Sequence, residues 1–468
     1  MDARSKAGAT GEAYAPPVRG EVRLPGGEAR PGSISFGRET FLLGCEGAGP
    51  ATIAYRDLTT IAIDGGVGLV VAGDGPDAPR WLLERWGPAL GPVVAGMRER
   101  RLRQLLADGL VRVPDDPVPL VEYALPDGSG SGVAHLVIHP WGAVVAPLDE
   151  RRPWVRLRRP GIGEVREVAA VGGLRVFADD GTPVVDLPRL GPGVAGVRAA
   201  LEGLRDGAVA DAGAILTALA PDLPFAARDG SARLLADGRP ADRTALGATW
   251  GPIEAAVLTE PTFAASYAAL VACGGGDAAV RWFGMAPEDP GSPTPRTWFL
   301  VTLPGNLVAL ELVSGGAHAT YCFRALPRGE HRGGPTDPAA AALRVRAVSE
   351  ALMDARFLRE PIALPDARLA LPEGRRYRLA LAALPSLAAA RAAFVARLVH
   401  RDEETWAAAL DDLVAWHDAQ RDDAAAWPGR AAQEAEVDEA GGGSIGVPAA
   451  APGPDLPADA GGAGASAG

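Results

Sequence analysis

The sequence predicts an α+β protein: two tandem antiparallel sheet units, each followed by a helix, then a separate α+β domain with hairpins and C-terminal helices. Three observations carry this. Strand-period segments parted by Gly/Asp turns give way to helical spacing near residue 90, and the same order recurs about 100 residues later. The two helix starts echo one another, Val94-Ala95-Gly96-Met97-Arg98 against Val194-Ala195-Gly196-Val197-Arg198. Beyond residue 259 strands are followed by helices and do not alternate with them, which argues against a doubly wound sheet.

Taken in order, residues 1–17 are polar and Gly/Ala-rich, and are expected to be disordered. The first unit, 18–112, alternates through "GSISFGRETFLLGCEG", "ATIAYRDLTTIAID" and "GGVGLVVAGDG". "GPVVAGMRERRLRQLLADG" then carries a stripe of Val93, Met97, Leu102, Leu105 and Leu106, with Gly109 as a stop. The second unit, 118–222, repeats the pattern with "AHLVIHPWGAVVAP", "WVRLRR", "GEVREVAAV", "GLRVFADDGTPVVDL" and the helical "GVRAALEGLR". An internal duplication explains that matched order.

In the third unit, 223–425, a helix is expected to end at Cys273, with Gly274 as its left-handed cap. Strands follow in "AAVRWFGM", "TWFLVTL", "NLVALELV" and "ATYCFRAL". A helix opens at Asp337-Pro338, and two more are expected at 386–400 and 402–423. The tail, 426–468, carries Glu434, Glu436, Asp438, Glu439, Asp455 and Asp459. From Ala431 onward it has no basic residue, and with little to bury it too is expected to be disordered.

The run "I-A-Y-R-D-L-T-T-I-A-I-D", a Gly turn, an apolar strand, "L-L-E-R-W-G" and an amphipathic helix resemble the pleckstrin-homology-like domain. Residues 20–108 carry the resemblance best, and 118–206 are similar to a diverged copy. The resemblance implies two strongly bent antiparallel sheets, each capped by its helix. It also implies a binding scaffold, which by itself names no ligand.

The chemistry-bearing motifs are few. The net charge of −12 argues against nucleic acid as a partner. Cys45, Cys273 and Cys322 are odd in number, far apart and outside any C-x-x-C, which fits reduced thiols in a cytoplasmic protein. No signal peptide or membrane span is evident, and no metal or cofactor is expected. Gly191 to Gly196 satisfies G-x-G-x-x-G and Gly73 to Ala78 its Ala-ended variant. Both lack the strand–loop–helix context of a dinucleotide site and read as turns. His135 and His139 sit on a strand, about 13 Å apart and too far to share a metal.

The most suggestive stretch is "DERRPWVRLRRPG". Arg151, Arg152, Trp154, Arg156, Arg158 and Arg159 form an arginine-rich strand that could meet an anionic ligand or a lipid surface. The same pattern also fits a strand with a solvated arginine face. Three function classes follow: a non-enzymatic binding protein acting on a protein or peptide partner, an anionic-ligand or peripheral lipid binder, and a thiol enzyme using Cys273 or Cys322. The first is favoured, because no reactive constellation is visible.

Overall fold

The computed structural model describes residues 14–427 except 25, 73–77, 109–117, 150–151, 153, 260, 290, 293, 313–318, 331–333, 372–373, 401 and 420–426. Both expected disordered ends fall, almost entirely, outside the described residues, as do Gly73–Asp77 and Arg151.

The first unit is a seven-stranded antiparallel sheet. Its strands are β1 (Val18–Arg23), β2 (Ala29–Phe36), β3 (Thr40–Cys45), β4 (Ala48–Ala54), β5 (Leu58–Asp64), β6 (Val67–Ala72) and β7 (Arg80–Glu84), with α1 (Leu90–Asp108) following. They lie in the order β4-β3-β2-β1-β7-β6-β5. Alternation of apolar and polar residues turns one face inward, where Val22, Ile34, Phe41, Tyr55 and Leu83 pack against Leu90, Val93 and Met97 of α1.

The second unit repeats this with β8 (Leu120–Ala124), β9 (Ser131–His139), β10 (Gly142–Pro147), β11 (Val155–Arg158), β12 (Val165–Val168), β13 (Gly173–Phe177), β14 (Pro183–Leu187) and α2 (Val194–Leu219). Its order, β11-β10-β9-β8-β14-β13-β12, is the same strand for strand. The likeness reaches single residues. Each last strand is followed by a left-handed arginine, Arg85 (φ 53°) or Arg189 (φ 56°), and two residues on by a left-handed glycine, Gly87 or Gly191. Arg85 pairs with Glu21 of β1 at 3.0 Å and Arg189 with Glu122 of β8 at 2.6 Å. The glycines of the supposed dinucleotide motif at 191–193 therefore form a 3-10 turn leading into α2.

Two helices tie the units together. The far end of α1 leaves its own sheet and buries Leu106 on the outer face of the second, against Val137, Val144 and Ala146. α2 is longer than its sequence pattern implied: Leu201 closes the second unit, while Ala208, Ala212, Ile215 and Leu216 enter the core of the third.

The third unit opens with α3 (Phe225–Leu235), β15 (Ala241–Asp242), α4 (Arg243–Leu246), α5 (Trp250–Val257) and α6 (Pro261–Cys273). Then come β16 (Arg281–Pro287), β17 (Pro295–Leu303), β18 (Leu307–Leu312) and β19 (Ala319–Arg324). Next are α7 (Pro338–Asp354), α8 (Glu360–Ala363), α9 (Asp366–Ala370), α10 (Arg375–Ala383) and α11 (Pro385–Ala393), and β20 (Phe394–Val399) and α12 (Glu403–Ala419) complete it. Its six strands run β15 to β20 in chain order. β17, β18 and β19 are buried almost throughout, as expected of a sheet covered on both faces. One face packs on α2, α5, α6 and α12 through Phe263, Phe299 and Trp406, the other on α7 and α11 through Trp298, Val348 and Leu387.

Two sequence expectations need correction here. The helix expected over 386–400 stops at Ala393, and Phe394–Val399 pairs antiparallel with β19 as an edge strand. Its aromatic and β-branched residues gain more from that pairing than the alanine-rich run upstream would gain by extending the helix. At the end of α6 the left-handed residues are Gly275 (φ 97°) and Gly276 (φ 66°), not Gly274. Gly274 meets a different demand: a Cβ there would lie 2.4 Å from the Thr302 carbonyl oxygen. The reading of this stretch as a helix stop holds, with each glycine serving a distinct need.

Candidate functional site

The arginine strand is β11, at one edge of the second sheet, and it faces the third unit. Pairing of Val144 with Arg156 and of Gly142 with Arg158 puts both arginines on the outer sheet face. There they meet the C-terminal end of α7 and the turn after α3. Arg156 Nη1 donates to Asp354 Oδ1 at 3.1 Å and to the Asp354 carbonyl at 3.2 Å. Arg158 Nη2 donates to the Asp237 carbonyl at 3.2 Å and lies 3.9 Å from both Glu350 and Asp354.

Arg159 is the most enclosed, at 3% exposure. Its Nη1 donates to Asp211 of α2 at 2.7 Å, its Nη2 to Asp237 at 2.8 Å, and its guanidinium lies 5.4 Å from the Trp141 ring centroid. Burial acts to lower its pKa, but the facing Asp237 and Asp211 outweigh it and hold the pKa above the ordinary value. For Arg156 the balance reverses, and burial outweighs Asp354 to lower it. Trp154 packs beside Leu106 and Val137 under α1. Arg152 stays near the surface, 3.4 Å from Asp149. The structure thus brings Arg156, Arg158 and Arg159 together as a junction between units and sets Arg152 and Trp154 apart.

Backbone strain gathers at this junction. Among the described residues six non-glycines have positive φ, and three of them, Asp237, Arg356 and Phe357, lie here. Trp141 reaches from the turn between β9 and β10 into the apolar core of the third unit. Beside it, a cavity of about 30 Å³ is lined by His139, Trp141, Arg156, Asp237 and Asp354. Burial, with Arg156, Arg356 and Arg159 nearby, pushes the His139 pKa down to about 4. Its imidazole is therefore neutral at pH 7, and its Nδ1 accepts from the backbone N–H of Trp141 at 3.3 Å.

A second and larger cavity, of about 370 Å³, opens on the other side of Arg158. The second unit contributes Arg158, Pro160 and Gly161 to it. α3 contributes Arg233 and Leu234, the turn after it Arg239, and α7 Val345, Arg346 and Glu350. Sequence reasoning named only Arg158 of these. Arg233 and Arg346 read as ordinary helix surface; the fold of the third unit turns them toward one space, which the second unit closes.

The remaining reactive groups are half-buried or buried. Burial and the neighbouring Asp411 push the Cys273 thiol up to about 11, and complete burial raises that of Cys322. Neither favours a thiolate at neutral pH. A polar chain that the sequence did not reveal joins α6 to the sheet. Ser266 Oγ lies 3.1 Å from His400 Nδ1, His400 Nε2 is 2.8 Å from Thr320 Oγ1 and 3.4 Å from Glu311 Oε2, and Trp406 Nε1 donates to Thr320 Oγ1 at 3.0 Å. The serine–histidine–carboxylate order is that of a nucleophile relay. Glu311 is fully buried and Ser266 is 6% exposed, so the group ties α6 to the sheet from inside. Among the described residues no His/Cys/Asp/Glu group could hold a metal ion, and no helix is long and apolar enough to cross a membrane.

Comparison with protein-family models gives no match, and comparison with curated proteins gives none.

Proposed function

We propose that the two seven-stranded units are pleckstrin-homology-like modules and that the chain is a non-enzymatic binding protein acting on a protein or peptide partner. Supporting the first part are the identical strand orders, the closing helices and the matched Arg–Glu pairs. Supporting the second are the raised pKa of the half-buried Cys273 thiol and the burial of Cys322, Ser266 and Glu311.

The observation that carries the partner site is the state of the sheet edges. At β5, Arg98 of α1 donates to the Ile61 carbonyl at 2.8 Å and Arg101 to the Leu58 carbonyl at 2.5 Å. Just before β12, the Gly163 carbonyl accepts from Arg205 of α2 at 2.9 Å. β11 faces the third unit. β4 differs: Ala48, Gly49, Pro50 and Thr52 are exposed, while Ile53 anchors the strand inward. An extended peptide adding to this edge would gain main-chain hydrogen bonds, with side-chain specificity from alternate positions.

Selection of a random peptide library on the full chain tests this. The reading predicts enriched peptides whose binding falls at least tenfold with Thr52→Pro or Thr52→Lys, at an unchanged unfolding midpoint. Peptides that bind both variants as well as the parent, or no enrichment at all, would refute it. The arginine strand as a peripheral lipid surface is the weaker reading, because Arg156, Arg158 and Arg159 are engaged within the chain.

A further inference from the structure

The geometry points to a second binding site, separate from the β4 edge: the 370 Å³ cavity between the second and third units takes a small organic phosphate with an apolar end. Its volume falls at the small end of the range, roughly 300–1,000 Å³, that holds small-molecule ligands. Its lining combines two chemistries: apolar Leu234, Val345 and Trp282, and basic Arg158, Arg233, Arg239 and Arg346, with Glu350 as the one carboxylate.

The arginines hold donors in reserve. Arg346 spends Nε on Glu350 at 3.0 Å, and Arg233 spends Nε on Asp229 at 3.1 Å. Arg239 uses Nη2 on the Pro160 carbonyl and on Asp179, at 2.5 and 2.6 Å. Among the described residues, both terminal nitrogens of Arg346 and of Arg233, and Nη1 and Nε of Arg239, carry no hydrogen bond. These carboxylate contacts hold the guanidinium groups in place, and the remaining N–H groups suit the paired oxygens of a phosphate.

The exposures form a gradient. The Arg158 and Arg239 side chains are 19% and 35% exposed, whereas those of Arg233 and Arg346 are 67% and 68% exposed. A phosphate bound at Arg239, with Arg158 held to Asp237, Glu350 and Asp354 behind it, would sit in a medium where charge-assisted hydrogen bonds are stronger than in water, and Arg233 and Arg346 would steer it in. An apolar moiety would cover Leu234, an exposed leucine at 42%. Because the wall comes from two units, occupancy would also strengthen their docking.

The test is a thermal-shift series on the full chain with inorganic phosphate, pyrophosphate, AMP and ADP, each at about 1 mM, with titration calorimetry on any that act. The inference expects AMP or ADP to raise the midpoint by about 2–4 °C and to exceed inorganic phosphate. The shift should disappear in the Arg239→Gln/Arg346→Gln double variant and persist in Arg296→Gln, which lies outside the cavity. No shift with any of the four, an equal shift in the double variant, or binding only to vesicles of anionic lipid would overturn it. Since β4 is untouched, failure here leaves the peptide reading standing, and failure at β4 leaves this one standing.

Discussion

Replacing Arg159 with methionine removes the cation that joins α2, β11 and the turn after α3. The guanidinium is 3% exposed and donates to two carboxylates, and the Asp237 and Asp211 side chains are 2% and 13% exposed. Methionine fills much of the volume but leaves Asp237 buried with its partner gone. Asp211 still accepts from the Gly291 N–H at 3.2 Å. Breaking one side of a buried ion pair costs roughly 3–5 kcal/mol, because the surviving charge is uncompensated, against a typical domain stability of about 5–15 kcal/mol.

A companion variant isolates that cause. Asp237 sits at φ 52°, a conformation asparagine tolerates well, so Arg159→Met/Asp237→Asn removes the stranded charge without new backbone strain. Urea unfolding followed by tryptophan fluorescence is expected to show Arg159→Met about 3–5 kcal/mol less stable than the parent, with the double variant recovering at least half. A loss below about 1 kcal/mol in the single variant, or no recovery in the double, would refute the reasoning.

Two further predictions concern titration and reactivity. The folded pKa of His139, about 4, lies below its unfolded value near 6.5, so the unfolded chain binds more protons between them. Stability from this group is complete above about pH 6.5 and falls by up to roughly 3 kcal/mol as the pH drops to 4. His139→Gln should flatten that part of the pH–stability profile, and an unchanged slope contradicts the assignment. With its thiol pushed up to about 11, Cys273 should react with iodoacetamide at pH 7 more slowly than free cysteine, and the buried Cys322 should react only after denaturation. Rapid labelling of either in the native chain would reopen the thiol-enzyme reading.

The two sheets and their helices were legible because alternation and helical spacing are local signals, and the echo between residues 94–98 and 194–198 marked their likeness. The left-handed Arg85 and Arg189 were not, since nothing in an arginine announces a positive φ. β20 was missed because Ala388 to Ala393 continues into it without a Gly or Pro, and only its pairing with β19 decides where the helix ends. The arginine strand stood out in the sequence, but the partners of Arg156, Arg158 and Arg159 stand 52 to 198 residues away. A sequence shows the cations and not the carboxylates that the fold brings against them. The larger cavity was illegible for the same reason, its wall being assembled from four separate segments.

The central claim is that Arg156 to Arg159 join two units and do not serve as a free anion-binding face. A charge swap tests this most directly: Arg156→Glu alone, then with Asp354→Arg, read by limited proteolysis and by sedimentation with anionic vesicles. The account predicts that the single variant is cleaved faster, that the double variant regains at least half of the lost protection, and that vesicle binding is the same in all three chains. Loss of vesicle binding in Arg156→Glu, unrescued by Asp354→Arg and with proteolysis unchanged, would contradict it.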